Sequence, residues 1–309
     1  PVLVAEADEF DRSFLQLFPD VAIITSTDAD HLDIYGDAGT MREAFAEFAS
    51  QIKEGGALIL KKGVEVDLQN VKAKTYSYSY SQEADFYPAN LQLQEGGYFT
   101  FNLVYPAFRT IYGKEVCAGT IEGCTVGIPG WVNVENGVAA AAAALIGGIA
   151  PEDVKAALAA FQGVERRFDI HLNTPSAAYI DDYAHHPNEI SSAISSIRNI
   201  FPGRKLTAMF QPHLYTRTRD FAKEFAQSLS LVDELILLDI YPARELPIEG
   251  VTSEIIFNDV TVGKKILLKK DEALEYLKGC DIDILATFGA GDIDRLIVPI
   301  KEMLEERIR

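Results

Sequence analysis

Cysteine is scarce. Cys117, Cys124 and Cys280 are the 3 in 309 residues, an odd number in no metal-ligand spacing. That excludes a fully paired disulfide framework and fits free thiols in a reducing cytoplasm. Basic residues are outnumbered, since 28 Lys and Arg against 46 Asp and Glu leave a net charge of −18. Such a chain is a poor general partner for nucleic acid or an anionic membrane. It can still hold a phosphate locally through Arg, Mg2+ or a helix N-terminus. No apolar run approaches the roughly 20 residues of a membrane span, and no signal peptide is visible. No Gly-x-x-x-x-Gly-Lys-Ser/Thr occurs in the 309 residues, so the usual phosphate loop is missing from them. The first residue is Pro1, not Met, and Val2 to Ala5 already read as a buried strand. The chain is therefore expected to begin in the middle of a domain.

What is present suits a folded α/β protein of about two domains, with 48% hydrophobic residues. After Val2–Ala5 come Glu6, Asp8, Glu9 and Asp11, four carboxylates at a strand end that suit a hard cation or a solvated turn. Val21–Thr25 and Ala57–Leu60 read as buried parallel strands, with a helix carrying Met41, Phe45 and Phe48 between them. The loop after the first holds Asp28, Asp30, His31 and Asp33. From Val71 to Leu103 the period falls to two, with Tyr76, Tyr78 and Tyr80 alternating with serines, which predicts a small antiparallel sheet. A turn from Gly127 opens an alanine-rich helix. Asn133 and Asn136 share a face at its start, to cap the helix or to read a nucleotide base.

Gly163 to Phe168 reads as a domain junction bearing Arg166 and Arg167, natural anion partners or a solvated linker. Beyond it, strands at Ala177–Ile180, Leu206–Phe210, Leu235–Ile240, Lys265–Leu268 and Ile284–Phe288 alternate with helices, a doubly wound pattern. The stretch that organises the chain is Asp181-Asp182-Tyr183-Ala184-His185-His186-Pro187, between a strand and a helix with Ile190, Ile194, Ile197 and Phe201 on one face. Ligands bind at such strand ends in open α/β sheets. The next strand feeds Gln211-Pro212-His213-Leu214-Tyr215-Thr216-Arg217-Thr218-Arg219, read as the start of one helix carrying Phe221, Phe225 and Leu229. Arg217 and Arg219 near a helix N-terminus oppose its macrodipole, so an anionic ligand is expected there. Four of the five histidines, His31, His185, His186 and His213, lie at strand ends beside carboxylates or arginines.

These segments, in order along the whole chain, resemble the Mur ligases. The matching motifs are Glu6-Ala7-Asp8-Glu9, Asp30-His31, Gly163-Val164 with Arg166-Arg167-Phe168, Asp181 to Pro187, and Phe210-Gln211-Pro212-His213 with Tyr215 to Thr218. The last two resemble the alanine-adding branch; the tripeptide-adding branch of cell-wall recycling differs in the Gln-Pro-His stretch. The resemblance implies residues 1–168 as the remainder of a central P-loop-type ATP-binding domain, with a mixed sheet and a small antiparallel one. Residues 169–309 would be a C-terminal, doubly wound Rossmann-like domain. It implies a cytoplasmic bacterial ATP-dependent ligase of peptidoglycan synthesis, inactive without its phosphate loop. That ligase would join L-alanine to the lactyl carboxylate of UDP-N-acetylmuramate through an acyl phosphate. A homodimer is compatible with it; a nucleotide-binding paralogue without chemistry is the alternative from another class.

The resemblance also implies roles. Glu6 and His31 would ligate Mg2+, and His31 would join His185 and Arg217 in catalysis. Asn133, Asn136, Arg166, Arg167, Asp182 and Tyr183 would hold ATP. His185, His186, His213, Arg217 and Arg219 would hold substrate. The chain departs from the family's usual residues at Phe10, Ser26, Val132 and Leu214, where Ser, Asn, His and Arg are common. Val132 bears on the adenine contact, and Leu214 leaves Arg217 to hold a carboxylate, with Arg219 second.

Overall fold

A computed structural model describes residues 2–28 and 32–308, apart from the side chains of Leu32 and Asp33. The chain forms two compact units, Pro1–Phe161 and Gln162–Arg309.

In the first unit, β1 (Val21–Ile24), α1 (Leu32–Tyr35), α2 (Ala38–Ser50), β2 (Ala57–Lys61) and β3 (Lys74–Tyr78) follow in order. The strands form a parallel sheet, β1-β2-β3. Asp37 caps α2 by accepting from the Thr40 N–H at 2.8 Å, as the short polar side chain before a helix should. Ala22, Ile24 and Leu58 lie under α2 with Met41 and Phe48, while Ala57, Ile59, Tyr76 and Tyr78 pack in the other core. The central strand β2 is covered on both faces over Ala57–Ile59, which explains its apolar run, whereas Ile23 on the edge strand β1 is 37% exposed. Next come β4 (Tyr87–Leu93), β5 (Phe99–Tyr105), β6 (Phe108–Arg109), β7 (Glu115–Val116), β8 (Gly119–Thr125), α3 (Trp131–Ile146) and α4 (Pro151–Ala160). The expected antiparallel sheet is β4-β5-β8.

Two expectations need correcting. Val2–Ala5 is not a strand: it pairs with no strand among the described residues, and Val2, Leu3 and Val4 are 75%, 90% and 90% exposed. Apolar residues order as a strand only against a ladder partner and a core. The Tyr76–Tyr78 stretch lies in β3, in the parallel sheet. An edge strand is covered less completely than a central one, so it alternates although its pairing is parallel.

The second unit comprises β9 (Asp169–Asn173), β10 (Ala178–Asp182), α5 (Pro187–Ile200), β11 (Leu206–Phe210), α6 (Tyr215–Asp220), α7 (Ala222–Leu229), β12 (Glu234–Leu238), α8 (Glu254–Phe257), β13 (Lys264–Leu268), α9 (Lys270–Lys278), β14 (Ile284–Phe288) and α10 (Ile297–Ile308). The sheet order is β13-β12-β11-β14-β10-β9, parallel except for β9. One face of alternate residues, including Ile180, Phe210 and Leu237, packs on α5 and α7. The other, including Tyr179, Met209 and Ile236, packs on α9 and α10. This is the expected doubly wound layer. β9 escaped the sequence reading, and its partly buried side chains lack a continuous apolar run. The single helix expected after β11 is two helices, broken at Phe221 (φ −119°, ψ 20°).

Candidate functional site

β10 runs through Asp182, so the two aspartates are the last residues of the strand and point to opposite sides of the sheet. Asp181 is fully buried. Its Oδ2 lies 3.1 Å from Arg166 Nε, and its Oδ1 accepts at 2.6 Å from the hydroxyl of Thr287, its register partner on β14. Burial raises the Asp181 carboxyl above its ordinary range against the pull of Thr287 and Arg166. Arg166 also donates to the Gly289 carbonyl at 2.6 Å. The guanidinium read as an anion partner is thus engaged inside the unit. Arg167 is exposed and lies 5.3 Å from the Tyr183 ring, with Arg166 at 5.1 Å from the same ring. Asp182 accepts from the Phe168 and Ala184 N–H groups at 3.0 and 2.8 Å. Burial pushes its carboxyl up to about 7.

His185 places Nδ1 3.0 Å from the Tyr183 carbonyl, and its ring meets Tyr183 and His213 edge-on at 5.2 and 6.1 Å. His186 is the N-cap of α5. Its Nδ1 receives the Asn188 N–H, Glu189 reaches back to its own N–H, and its ring packs on Phe221. It starts the helix, with Pro187 at the first position where no donor is lost.

His213 follows β11 and stacks on Tyr241, 5.8 Å between centroids. Its Nδ1 lies 3.4 Å from Nη1 of Arg217, which is 5% exposed. Burial, helped by the Arg217 cation, pushes the His213 imidazole down to about 4. Arg217 and Arg219 occupy the last turn of a six-residue helix, where cations suit the macrodipole, so the expected conflict is absent. The anion at the start of α6 is the protein's own Glu245, which accepts from the N–H groups of Tyr215 and Thr216 at 2.5 and 3.0 Å and from the Thr216 hydroxyl. Arg219, read as a second substrate contact, pairs with Asp220 at 2.7 Å on the surface.

In the first unit, Asn133 donates to the Pro129 carbonyl at 2.6 Å, Gly130 takes the N-cap position, and Asn136 is exposed. Glu6 is an exposed carboxylate outside any regular element, and His31 lies outside the described residues. Among the described residues no group of three or more His, Cys, Asp or Glu is placed to hold a metal ion. No described helix is long and apolar enough to cross a membrane.

Sequence reasoning missed Thr287, and it marked Tyr241 and Glu245 as part of a strand end without assigning them a role. Thr287 is an inconspicuous hydroxyl in an apolar strand. The acceptor role of Glu245 depends on a loop after β12 folding back onto α6, which spacing does not reveal.

His213 makes a first prediction. Its folded pKa lies below the ordinary value near 6.5, so the unfolded chain binds the proton better. The stability from keeping it neutral is complete above pH 6.5 and is lost as pH falls from 6.5 through 4. With screening by the solvent that reaches the ring, that loss is on the order of 1–2 kcal/mol. Urea unfolding followed by circular dichroism at pH 7.5 and 4.5 should show His213→Asn losing less stability on acidification than the parent. Equal losses would contradict the assignment.

Two family models match the chain: the Mur ligase middle domain over residues 3–144 and the Mur ligase, glutamate ligase domain over residues 166–291. The UDP-N-acetylmuramate–L-alanine ligase of Parabacteroides distasonis is 51% identical over 307 residues, which are 99% of this chain and 64% of that protein. The chain thus spans slightly under two thirds of the length of that relative. The crystal structure of UDP-N-acetylmuramate–alanine ligase from Thermotoga maritima superposes with a TM-score of 0.70 at 22% identity, over 96% of this chain and 62% of that one. The MurF ligase of Thermotoga maritima, crystallised with ADP, gives 0.67 at 17% identity, over 96% and 65%. At such identities the structures show a shared fold. With both domain models in series and a half-identical relative aligned over 99% of this chain, the chain belongs to the Mur ligase family.

Proposed function

We propose that this chain supplies the middle and C-terminal domains of an ATP-dependent ligase that forms an amide between L-alanine and the lactyl carboxylate of UDP-N-acetylmuramate. The observation that carries the reading is the buried Arg217 beside a neutral His213, at the carboxyl end of β11. A guanidinium out of water is suited to a small carboxylate, which it meets through a planar fork of donors. The 51% identity along the chain supports alanine as the owner of that carboxylate.

The chemistry would proceed by phosphoryl transfer from ATP to the lactyl carboxylate. The amine of alanine then attacks the acyl phosphate, and the tetrahedral adduct collapses to amide and phosphate. In this scheme Arg217 anchors the alanine carboxylate and aims its amine. His185 accepts a proton from that amine: with Nδ1 donating to the Tyr183 carbonyl, Nε2 is the nitrogen with a lone pair. His213, kept uncharged, lies beside Arg217 without competing for the carboxylate. Asn136, Arg167 and Tyr183 are the nucleotide-side candidates that remain accessible, whereas Arg166 serves the fold. Mg2+ would neutralise phosphate charge. Of the two residues that would hold it, Glu6 is an exposed carboxylate and His31 lies outside the described residues. On this reading the reaction would belong to peptidoglycan synthesis in the bacterial cytoplasm.

Phosphate release from ATP tests the proposal, using the chain joined to the further third that its relatives carry. Release that requires both UDP-N-acetylmuramate and L-alanine is the expected result, with none from these 309 residues alone. Release only with a tripeptide acceptor would move the protein to the recycling branch. No release with any acceptor would sink the ligase reading.

A further inference from the structure

Resting on the reading of Arg217 as the anchor for the alanine carboxylate, we infer that Glu245 is the positioning residue that sets the affinity for the amino acid. It touches no proposed reacting atom. Its carboxylate gathers three donors at the start of α6, the N–H groups of Tyr215 and Thr216 and the Thr216 hydroxyl. Arg217 is the next residue along. Two backbone hydrogen bonds fasten the same loop to the segment before the helix: Leu214 N–H donates to the Tyr241 carbonyl at 3.0 Å, and Tyr241 N–H to the Pro212 carbonyl at 2.8 Å. The Tyr241 ring then stacks on His213. The loop after β12 thus grips the His213–Arg217 segment at both ends.

That grip acts on a backbone under strain. Leu214, between His213 and the helix, has φ 71° and ψ 138° and is 4% exposed. A non-glycine residue persists there only where its surroundings over-determine it. The Thr218 hydroxyl and N–H hold the Leu214 carbonyl from the helix side, and Glu245 holds the next two amides. Without the carboxylate, the first turn of a six-residue helix loses its anion, and the strained residue can relax. Arg217 would then be presented over a range of directions. A buried guanidinium that must meet a carboxylate through two parallel bonds loses affinity when its direction spreads.

The test compares Glu245→Ala, Glu245→Gln and Thr216→Val with the parent in the ligase assay above. Glu245→Ala should raise KM for L-alanine by about tenfold, with kcat within about threefold and KM for ATP unchanged, the signature of lost ground-state binding. Glu245→Gln, which keeps an acceptor oxygen, should recover most of that affinity. Thr216→Val, which removes one donor, should give a smaller rise in the same constant. A second readout needs no turnover: in nuclear magnetic resonance spectra of the 309-residue chain, Glu245→Ala should shift the ring signals of His213 and leave those of His171 in place. A parent that turns over without alanine would refute the anchor reading, and the His213 signals would still decide the positioning role. Unchanged KM for alanine together with unmoved His213 signals would overturn the inference.

Discussion

Arg217→Ala is expected to lower kcat/KM for L-alanine by about 10^2–10^3, about 3–4 kcal/mol of transition-state stabilisation. The size follows from burial. Arg217 is 5% exposed, so a carboxylate bound to it is shielded from water, and their attraction exceeds that of a surface pair. Removing the guanidinium leaves that carboxylate desolvated and unmatched. Arg217→Lys keeps the charge and loses the fork, and about a tenfold loss is expected to remain. KM for ATP should stay near the parent value in both. Steady-state kinetics with alanine and ATP varied separately checks this. An equal rise in both KM values would mean general damage. An unchanged kcat/KM for alanine would remove Arg217 from the site.

The second large effect concerns the fold beneath the site. Arg166→Met leaves Asp181 with Thr287 as its remaining side-chain partner and no cation, at a position with no exposure. Breaking a buried pair on one side costs about 3–5 kcal/mol. Because burial already raises the Asp181 carboxyl, the orphaned group can escape by taking up a proton. An acid whose folded pKa is raised costs stability as pH climbs from its unfolded pKa through its folded one. The Arg166→Met penalty should therefore be greater at pH 8 than at pH 5. Asp181→Asn beside it removes the charge and should restore much of the loss, with a coupling above about 1 kcal/mol. Amide hydrogen exchange on β10 and β14 would report the second unit. The fluorescence of the single tryptophan, Trp131, reports the first unit as an internal control. Additive effects with no pH dependence would show that the pair carries no stability.

Much of the second unit was legible in its sequence because parallel central strands are buried on both faces. Leu206–Phe210 and Ile284–Phe288 are apolar but for one buried threonine each, and both strands have those bounds. Ile190, Ile194 and Ile197 gave the inner face of α5 for the same reason. Edges were harder. β3 and β9 are half covered, so their patterns mix burial with exposure, and pairing direction leaves no mark on that mixture. Val2–Ala5 had the composition of a strand without a neighbour to make it one.

The site shows a similar division. Residue types and their crowding at strand ends picked out His185, His213 and Arg217, which the structure brings together beyond the carboxyl ends of β10 and β11. Sequence could not tell which charged groups face a ligand and which hold the frame. Arg166 and Arg167 are adjacent and chemically equal. One is bonded to Asp181 and Gly289, while the other lies exposed on Tyr183. Likewise, the anion at the start of α6 is Glu245, about thirty residues on, where only the folded loop could place it.

The most direct test follows oxygen. UDP-N-acetylmuramate labelled with 18O in its lactyl carboxylate would be incubated with ATP, L-alanine and the chain joined to its relatives' further third. Mass spectrometry would then read both products. An alanine adduct of the sugar nucleotide, with one labelled oxygen in each phosphate released, is the result expected of attack on an acyl phosphate. Unlabelled phosphate, or phosphate without the amide product, would contradict it.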